Sequence, residues 1–413
     1  MAISVKQSAE DKQRERVRAQ LRYPKGAVER GEDGTRSYLK PPHATLSNLE
    51  IIIGQDPAFY PFLGYNEFTS QVTWNGQPLT DATETAINLQ VQALYDLHMS
   101  TERVREMVAY IAAQHPYHPV REWLRGLTWD GVPRLESMLH VYADAADSKL
   151  HAAMGRRFML GAVARIMRPG CQLDTTLILV GAQGVRKSSL FRALVEDPTW
   201  FSDTTIDLRT KDVYQQLQGV WLYEVAELAA LRGRDAESTQ AFLTSRCDRY
   251  RPPYGRNVVR WDRQVAFVGT TNEAEFLDDQ TGARRFWPVK VGAPDVEAIT
   301  RDRAQLWAEA VEAFDAGEPW WLTAEEESAL TDSQQTYQRA DSWSDIIEEW
   351  MLTNGQHGAT VRDVLTSALG LEANNQTKGA AMRAASILSG LGYSKKRVTD
   401  HGQQVMRWAR WPE

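Results

Sequence analysis

The sequence predicts an α/β protein: a parallel sheet covered by helices, with a small α+β domain ahead of it and a small helix-rich domain behind. Three observations carry this reading. Residues 155–321 alternate short apolar strands with helical stretches, the pattern of a parallel sheet. The first three candidate strands are continuously apolar instead of alternating with polar residues, so both of their faces are covered. Between the first strand and the helix that follows it stands "GAQGVRKSS", a strand, loop and helix setting in which phosphate-binding loops occur.

A chain of 413 residues exceeds one domain of about 100–200, so two or three folded units are expected. Hydrophobic residues at 43% and charged residues at 24% match the soluble globular class. No apolar run approaches the roughly 20 residues that span a bilayer. The opening "MAISVKQSAEDKQRERVRAQ" is charged throughout and lacks the apolar middle of a signal peptide, which predicts a cytoplasmic protein. Two cysteines, Cys171 and Cys247, exclude a disulfide framework and a cysteine-rich zinc site. A net charge of −7 excludes coating nucleic acid through a global positive field, so any DNA contact must be local.

Residues 1–35 form a charged arm, a solvated helix or a flexible segment. Residues 36–150 read as the small α+β domain. It has a helix carrying Leu49, Ile52 and Ile53, strand-like residues around Phe68, Val72 and Trp74, and a hairpin signal at Asn75-Gly76. Two amphipathic helices follow, with Asp81 and Ser100 as N-caps. His115 and His118 have a metal-ligand spacing, but prolines surround them and no further ligand lies nearby, so they read as a structural turn. The sheet domain, residues 151–322, has candidate strands at Thr176–Val180, Val220–Tyr223, Val265–Thr270 and Phe286–Val291, and a helix from Lys187 to Val195. Residues 323–413 begin with a helical linker. They end as helix, helix and two short strands, "YSKKRVTD" and "QVMRWARW", the pattern of a winged-helix-like domain. The 14 tryptophans are read mostly as core and interface anchors.

In a Walker A loop, G-x-x-x-x-G-K-[ST], glycines let backbone N–H groups close around the β-phosphate. The lysine reaches the β and γ oxygens, and the next hydroxyl holds Mg²⁺. Gly181, Lys187 and Ser188 fall on those positions, and the whole cradle would be Gly181, Ala182, Gln183, Gly184, Val185, Arg186, Lys187, Ser188 and Ser189. Arg186 departs from the pattern, because it stands where a second glycine supplies backbone freedom. The alternative is a loop that has this shape and binds nothing.

"GVWLYEVAEL" is a hydrophobic strand running into an acid, as metal and attacking water require. Glu224 stands at its end and Glu227 one helical step on, and which of them meets metal and which meets water stays open. Both as plain acids at a helix start is the other reading. In "QVAFVGTTNEAEF" a buried strand runs into Thr270, Thr271 and Asn272, and Asn272 fits a polar sensor near the γ-phosphate. In "TGARRFWPV", Arg284 and Arg285 are candidates for an arginine finger acting on a neighbouring subunit, which requires an oligomer.

"SRCDRYRPPYGRNVVRWDRQ" holds Arg246, Arg249, Arg251, Arg256, Arg260 and Arg263 with Tyr250, Tyr254 and Trp261 interleaved. Guanidinium groups grip phosphates and aromatic rings stack on bases, so this segment reads as a single-strand DNA loop, with Arg249, Arg251, Tyr254 and Arg256 as contacts. Salt bridging inside a subunit interface is the alternative.

Taken in order, "GAQGVRKSS", "VWLYEVAEL", "DRYRPPYGR", "VAFVGTTN" and "TGARRFWPV" resemble the virulence-associated E family, whose ATPase core is similar to the superfamily 3 helicases of phages and mobile elements. The resemblance implies a P-loop AAA+-like core using ATP and Mg²⁺. It puts Gly181, Gly184, Lys187 and Ser188 on phosphate, Ser188 and Glu224 on metal, Glu224 or Glu227 on water, Asn272 as sensor, and Arg284 or Arg285 as finger. It further implies a homo-oligomeric ring, a hexamer, around single-stranded DNA, acting as an ATP-dependent helicase in replication, with no membrane partner. The residues ahead of the core hold no cluster of catalytic acids, so a separate primase or replication protein is expected to prime. Two other readings fit the same residues: a DNA-binding or assembly module with a degenerate ATPase, and a nucleotide-dependent switch in phage defence.

Overall fold

The computed structural model describes residues 2–32, 34, 36–206, 213–226, 241–251, 258–272, 283–337, 343–355, 358–400 and 403–410. The chain divides into two compact units, the first ending at Thr336 and the second beginning at Tyr337.

The first unit contains two hydrophobic cores. The N-terminal one is built from α1 (Ala2–Gln20), β1 (Val28–Arg30), β2 (Arg36–Tyr38), α2 (Leu46–Gln55), β3 (Leu63–Asn66), β4 (Gln71–Trp74), β5 (Gln77–Pro78), α3 (Asp81–Tyr95), α4 (Thr101–Ala112) and β6 (Pro116–Tyr117). Strands pair in the order β5-β4-β3-β6. Asn75 and Gly76 turn the chain from β4 to β5 with φ of 52° and 76°, the left-handed pair that Asn-Gly favours. Ser100 caps α4 by accepting from the Arg103 N–H. At α3 the cap is Thr80 rather than Asp81: the threonine hydroxyl accepts from the Thr83 N–H, and Asp81 lies in the first turn, where its charge suits the helix end. The charged arm is not flexible throughout. Val17 of α1 is fully buried in the core that holds Leu49, Ile52 and Val91, and Arg14 reaches Asp56 at 3.2 Å.

The second core is built from α5 (Pro119–Gly126), α6 (Met138–Ala143), α7 (Lys149–Met167), β7 (Thr176–Val180), α8 (Lys187–Ala193), β8 (Phe201–Ser202), α9 (Val213–Gln216), β9 (Leu222–Ala226), β10 (Cys247–Tyr250), β11 (Val259–Asp262), β12 (Ala266–Thr271), β13 (Phe286–Lys290), α10 (Val296–Asp315) and α11 (Ala324–Gln334). Five parallel strands lie in the order β13-β7-β12-β9-β8. β7 and β12 are buried along their whole lengths, as their unbroken apolar runs predict. Trp221 and Trp307 are fully buried with ring centres 4.2 Å apart, and their N–H groups donate to the carbonyls of Ala162 and Leu194. They pin α7, α8 and α10 to the sheet.

Two of the three expected boundaries move, those at the two ends of the sheet domain. Val120, Leu124, Met138 and Leu139 bury their apolar stripe in the sheet core, so that core begins near residue 119 and not at 151. Leu330 of α11 is buried in it as well, past the expected end at 322. His118 caps α5. Its Nδ1 accepts from the Arg121 N–H, which leaves the ring proton on Nε2 to donate to the Gln264 side-chain oxygen at 2.5 Å.

The second unit consists of α12 (Ser344–Asn354), α13 (Val361–Asp363), α14 (Lys378–Gly390) and the antiparallel hairpin β14 (Ser394–Asp400) and β15 (Gln403–Ala409). Ala359 adds a bridge to Trp408 on the hairpin. Ile347, Met351, Val364, Leu365, Ala384, Leu388, Tyr393 and Trp408 form its own core. Among the described residues, no helix is long and apolar enough to cross a membrane.

Candidate nucleotide site

The loop between β7 and α8 runs from Gly181 to Arg186. The Gly181 N–H donates to the Thr271 carbonyl at 3.1 Å, tying the loop to the end of β12. A Cβ at Gly181 would lie 2.9 Å from the Val291 carbonyl oxygen, so only glycine fits. Gly184 has φ of 84° and Arg186 φ of 70°. Arg186 therefore adopts the left-handed conformation that glycine takes freely, at a cost of about 1–2 kcal/mol for an L-residue. The backbone path survives the substitution. The arginine side chain points to α10, donating to both carboxylate oxygens of Glu297 at 3.0 and 3.3 Å. That contact holds the Glu297 carboxyl below the usual carboxylate range.

Ala182, Gln183 and Gly184 are exposed at the crest of the loop, while Val185, Ser188 and Ser189 are half-buried. Lys187 is buried, and its Nζ donates to the carbonyls of Gly181 and Ala182, each at 2.8 Å. Burial pushes its pKa down, and Glu224 acts against that shift. The Ser188 hydroxyl donates to Glu224 Oε1 at 2.6 Å, and the Thr270 hydroxyl donates to the same oxygen at 2.5 Å. Glu224 is only 1% exposed, and its other oxygen, Oε2, is buried with no hydrogen-bond partner. The acid is not the last strand residue. It pairs with Val268 inside β9, which runs on to Ala226, because pairing along β12 continues past the charge.

These residues fit a magnesium nucleotide. An unsatisfied buried carboxylate oxygen beside a serine hydroxyl is the hard-oxygen donor set that Mg²⁺ takes together with phosphate oxygens. The buried Lys187 ammonium is held on the loop carbonyls, where the Glu224 charge acts on it.

The other predicted residues divide. Asn272 follows the last residue of β12, exposed, at the same end of the sheet as the loop. Arg284 and Arg285 lie in the turn that enters β13, whose first residue pairs with Thr176 at the start of β7. Five strand residues, about 16 Å, separate them from the loop of their own chain. Glu227, Tyr254 and Arg256 lie outside the described residues.

The arginine-aromatic segment is the hairpin β10–β11. Its returning strand leads into the N-terminal end of the central strand β12, at the end of the sheet opposite the β7–α8 loop. Arg249 stands across from Arg260, both exposed, and Arg251 is exposed just beyond β10. Three members of the predicted loop are structural instead. Arg263 is buried and grips Asp248 through two bonds of 2.7 and 2.8 Å. Arg246 donates to the Gly170 carbonyl at 2.9 Å, and Tyr250 stacks on Tyr214 with ring centres 6.1 Å apart.

Two members of the site escape a reading of the sequence. Thr270 as a partner of Glu224 had one signal: a hydroxyl inside a buried strand needs a partner. Glu297 as the partner of Arg186 had none, because 111 residues separate the pair.

Comparison with solved structures finds similarity to the apo C-terminal region of NrS-1, with 12% identity and a TM-score of 0.46, covering 84% of this chain and 95% of that one. A second apo form of the same region gives 12% identity and a TM-score of 0.43 over the same shares of the two chains. A RuvB mutant from Thermotoga maritima follows at 14% identity and a TM-score of 0.23, covering 59% of this chain and 89% of that one. No curated protein matches the sequence. The virulence-associated protein E-like domain matches residues 124–339, a span that takes in the sheet, the phosphate loop, Glu224, the arginine hairpin and β13. That match extends over more than half of the chain, which belongs to the virulence-associated protein E-like family.

Proposed function

We propose that this protein is an ATP-driven, Mg²⁺-dependent translocase that acts on single-stranded DNA as a homo-oligomeric ring, a hexamer, in the replication of phage or mobile-element DNA. The observation that carries the reading is the meeting of Ser188, Thr270 and Glu224 beside Lys187, with Glu224 Oε2 left unsatisfied. Gly181, Gly184 and the loop amides would hold phosphate, Lys187 would leave its carbonyls for phosphate oxygens, and Ser188 with Glu224 would hold the metal. Bound Mg²⁺ would supply charge neutralisation on the phosphates. Thr270 fixes the Glu224 carboxylate, Glu224 or Glu227 would orient water, and Asn272, just past β12, would act as sensor. Arg284 or Arg285, too far from the loop of its own chain, would act on the neighbouring subunit.

Arg249 and Arg251, with Tyr254 and Arg256, would touch DNA, and the place of Arg249 and Arg251 near the N-terminal end of β12 suits a division between motor and track. We read the C-terminal unit as winged-helix-like, from its order of helix, short strand, helices and hairpin. The degenerate-ATPase reading loses its main support, because Arg186 keeps the glycine backbone conformation. The test is ATP turnover with and without single-stranded oligonucleotide, followed by unwinding of a forked duplex. DNA-stimulated turnover with unwinding supports the motor, turnover without unwinding favours a nucleotide-dependent switch, and no turnover removes the enzyme.

A further inference from the structure

Two tryptophans stand between α10 and α11. Trp320 is half-buried, its Nε1–H donating to the Gln172 carbonyl at 2.8 Å and its ring packed on Phe314 with centres 6.1 Å apart. Trp321 stands edge-to-face against Trp320, with ring centres 5.2 Å apart, and stays 57% exposed. The segment that carries them is fastened on its other side. Glu318 accepts two bonds from Arg156, of 2.7 and 2.9 Å, and Arg157 donates to the Pro319 carbonyl at 2.9 Å. An indole held in this way loses little further freedom when a ligand covers it.

Contacts join these rings to the hairpin β10–β11. Residues 168–175 connect α7 to β7, so they lie at the N-terminal end of the parallel strands, where the hairpin enters β12. Arg246 Nε donates to the Gly170 carbonyl, and the Gly170 N–H donates to the Arg263 carbonyl, each at 2.9 Å. A Cβ on Gly170 would lie 3.1 Å from that of Asp262, whose carboxylate accepts from Arg260. In the same turn, Gln172 receives the Trp320 bond, and the exposed Arg168 lies with its guanidinium 5.0 Å from the centre of the Phe314 ring. Arg168, Phe314, Trp320 and Trp321 thus form a continuous row beside the base of the hairpin. Carboxylates near the row are already engaged: Asp262 by Arg260, Asp174 by Gln172, Glu318 by Arg156 and Asp315 by Arg125. Among the described residues, Arg168 has no carboxylate partner.

We propose that Trp321 is a stacking platform for a base of single-stranded DNA, with Arg168 on an adjoining phosphate. The proposal rests on the single-strand reading given above and extends the track from the hairpin arginines to a second place at the same end of the sheet. An indole accepts any base by stacking, and a guanidinium close by holds the backbone.

The experiment titrates the full chain, without nucleotide, with a labelled oligo-dT and with an abasic strand of equal length, which keeps the phosphates and removes the bases. Parent, Trp321→Ala, Trp321→Tyr and Arg168→Gln are compared, with matching thermal midpoints as the check on folding. The parent should prefer oligo-dT to the abasic strand. Affinity for oligo-dT is expected to fall about 5–150-fold in Trp321→Ala, the range for loss of one base–ring stack, and to be kept in Trp321→Tyr. Both Trp321 variants should bind the abasic strand as the parent does, with an unchanged salt slope because no charge is lost. Arg168→Gln should instead flatten the log–log salt slope by about 0.7, one phosphate contact. Equal affinity of the parent for the two strands, or parent-like oligo-dT affinity in Trp321→Ala, overturns the platform and leaves the hairpin reading standing. Equal losses on both strands with a smaller assembly in light scattering overturn it in favour of an interface between copies. A parent that binds neither strand removes the single-strand reading and the platform with it.

Discussion

Arg186 and Glu297 are joined by two hydrogen bonds of 3.0 and 3.3 Å, although one lies in the phosphate loop and the other opens α10. The residue that breaks the loop motif is thus held away from the crest of the cradle by a carboxylate. In the proposed nucleotide site, a phosphate would compete with that carboxylate for the guanidinium. Glu297→Gln is expected to raise nucleotide affinity severalfold, and the gain should vanish when Arg186 is also changed to Gln. Titration of the three variants with a fluorescent ATP analogue measures this, and a gain that persists without Arg186 would exclude competition.

Glu224→Gln keeps an oxygen to accept from Ser188 and Thr270 but removes the buried charge. Nucleotide should still bind, and turnover should fall by about 10²–10⁴-fold, the range for loss of a group that handles the proton of the attacking water. Turnover within tenfold of the parent would assign that task to Glu227 or to another group.

Arg249→Gln with Arg251→Gln is expected to weaken single-strand binding and to flatten its salt dependence by ~1.4 in the log–log slope, the sum of two released phosphate contacts. Anisotropy of a labelled oligo-dT across a salt series reads this directly. An unchanged slope would remove the hairpin from the DNA path.

Burial holds the His118 pKa below its ordinary value of 6.5. The neutral ring is the one that fits, since Nδ1 must stay unprotonated to accept from Arg121. The unfolded chain therefore takes up a proton before the folded one does. Its contribution to stability is complete above pH 6.5 and is lost as the pH falls below that value towards the folded pKa. His118→Asn keeps a capping acceptor without the titration. Between pH 7.5 and 5.5 the parent should lose more thermal stability than this variant, and equal losses would rule out the histidine.

Much of the sheet was legible because physical demands on it are local. A strand covered on both faces must be apolar throughout, which marks Thr176–Val180 and Val265–Thr270 in the sequence, the second within one residue of the observed Ala266–Thr271. Glu224 misled by its charge: it suggested a strand end, whereas the pairing partner that lets β9 continue lies more than 40 residues away. The fate of Arg263 was hidden as well, although its partner lies only 15 residues back. Only the pairing of β10 with β11 brings Asp248 to it, turning a member of the arginine-rich segment into a buried ion pair. The helices from Pro119 to Ala143 carry apolar stripes, but a stripe does not name the core that it joins. Arg186 shows the opposite case. A mismatch to a motif was visible in one letter, and its harmlessness to the backbone depended on a φ of 70° that no letter displays.

The central claim is that a magnesium nucleotide sits on Lys187, Ser188 and Glu224. Equilibrium binding of a fluorescent ATP analogue, with and without Mg²⁺, to the parent and to Lys187→Ala tests it most directly. The account predicts Mg²⁺-dependent binding by the parent and loss of at least tenfold in affinity in the folded variant. Equal binding by the two proteins, or none by the parent, would contradict it.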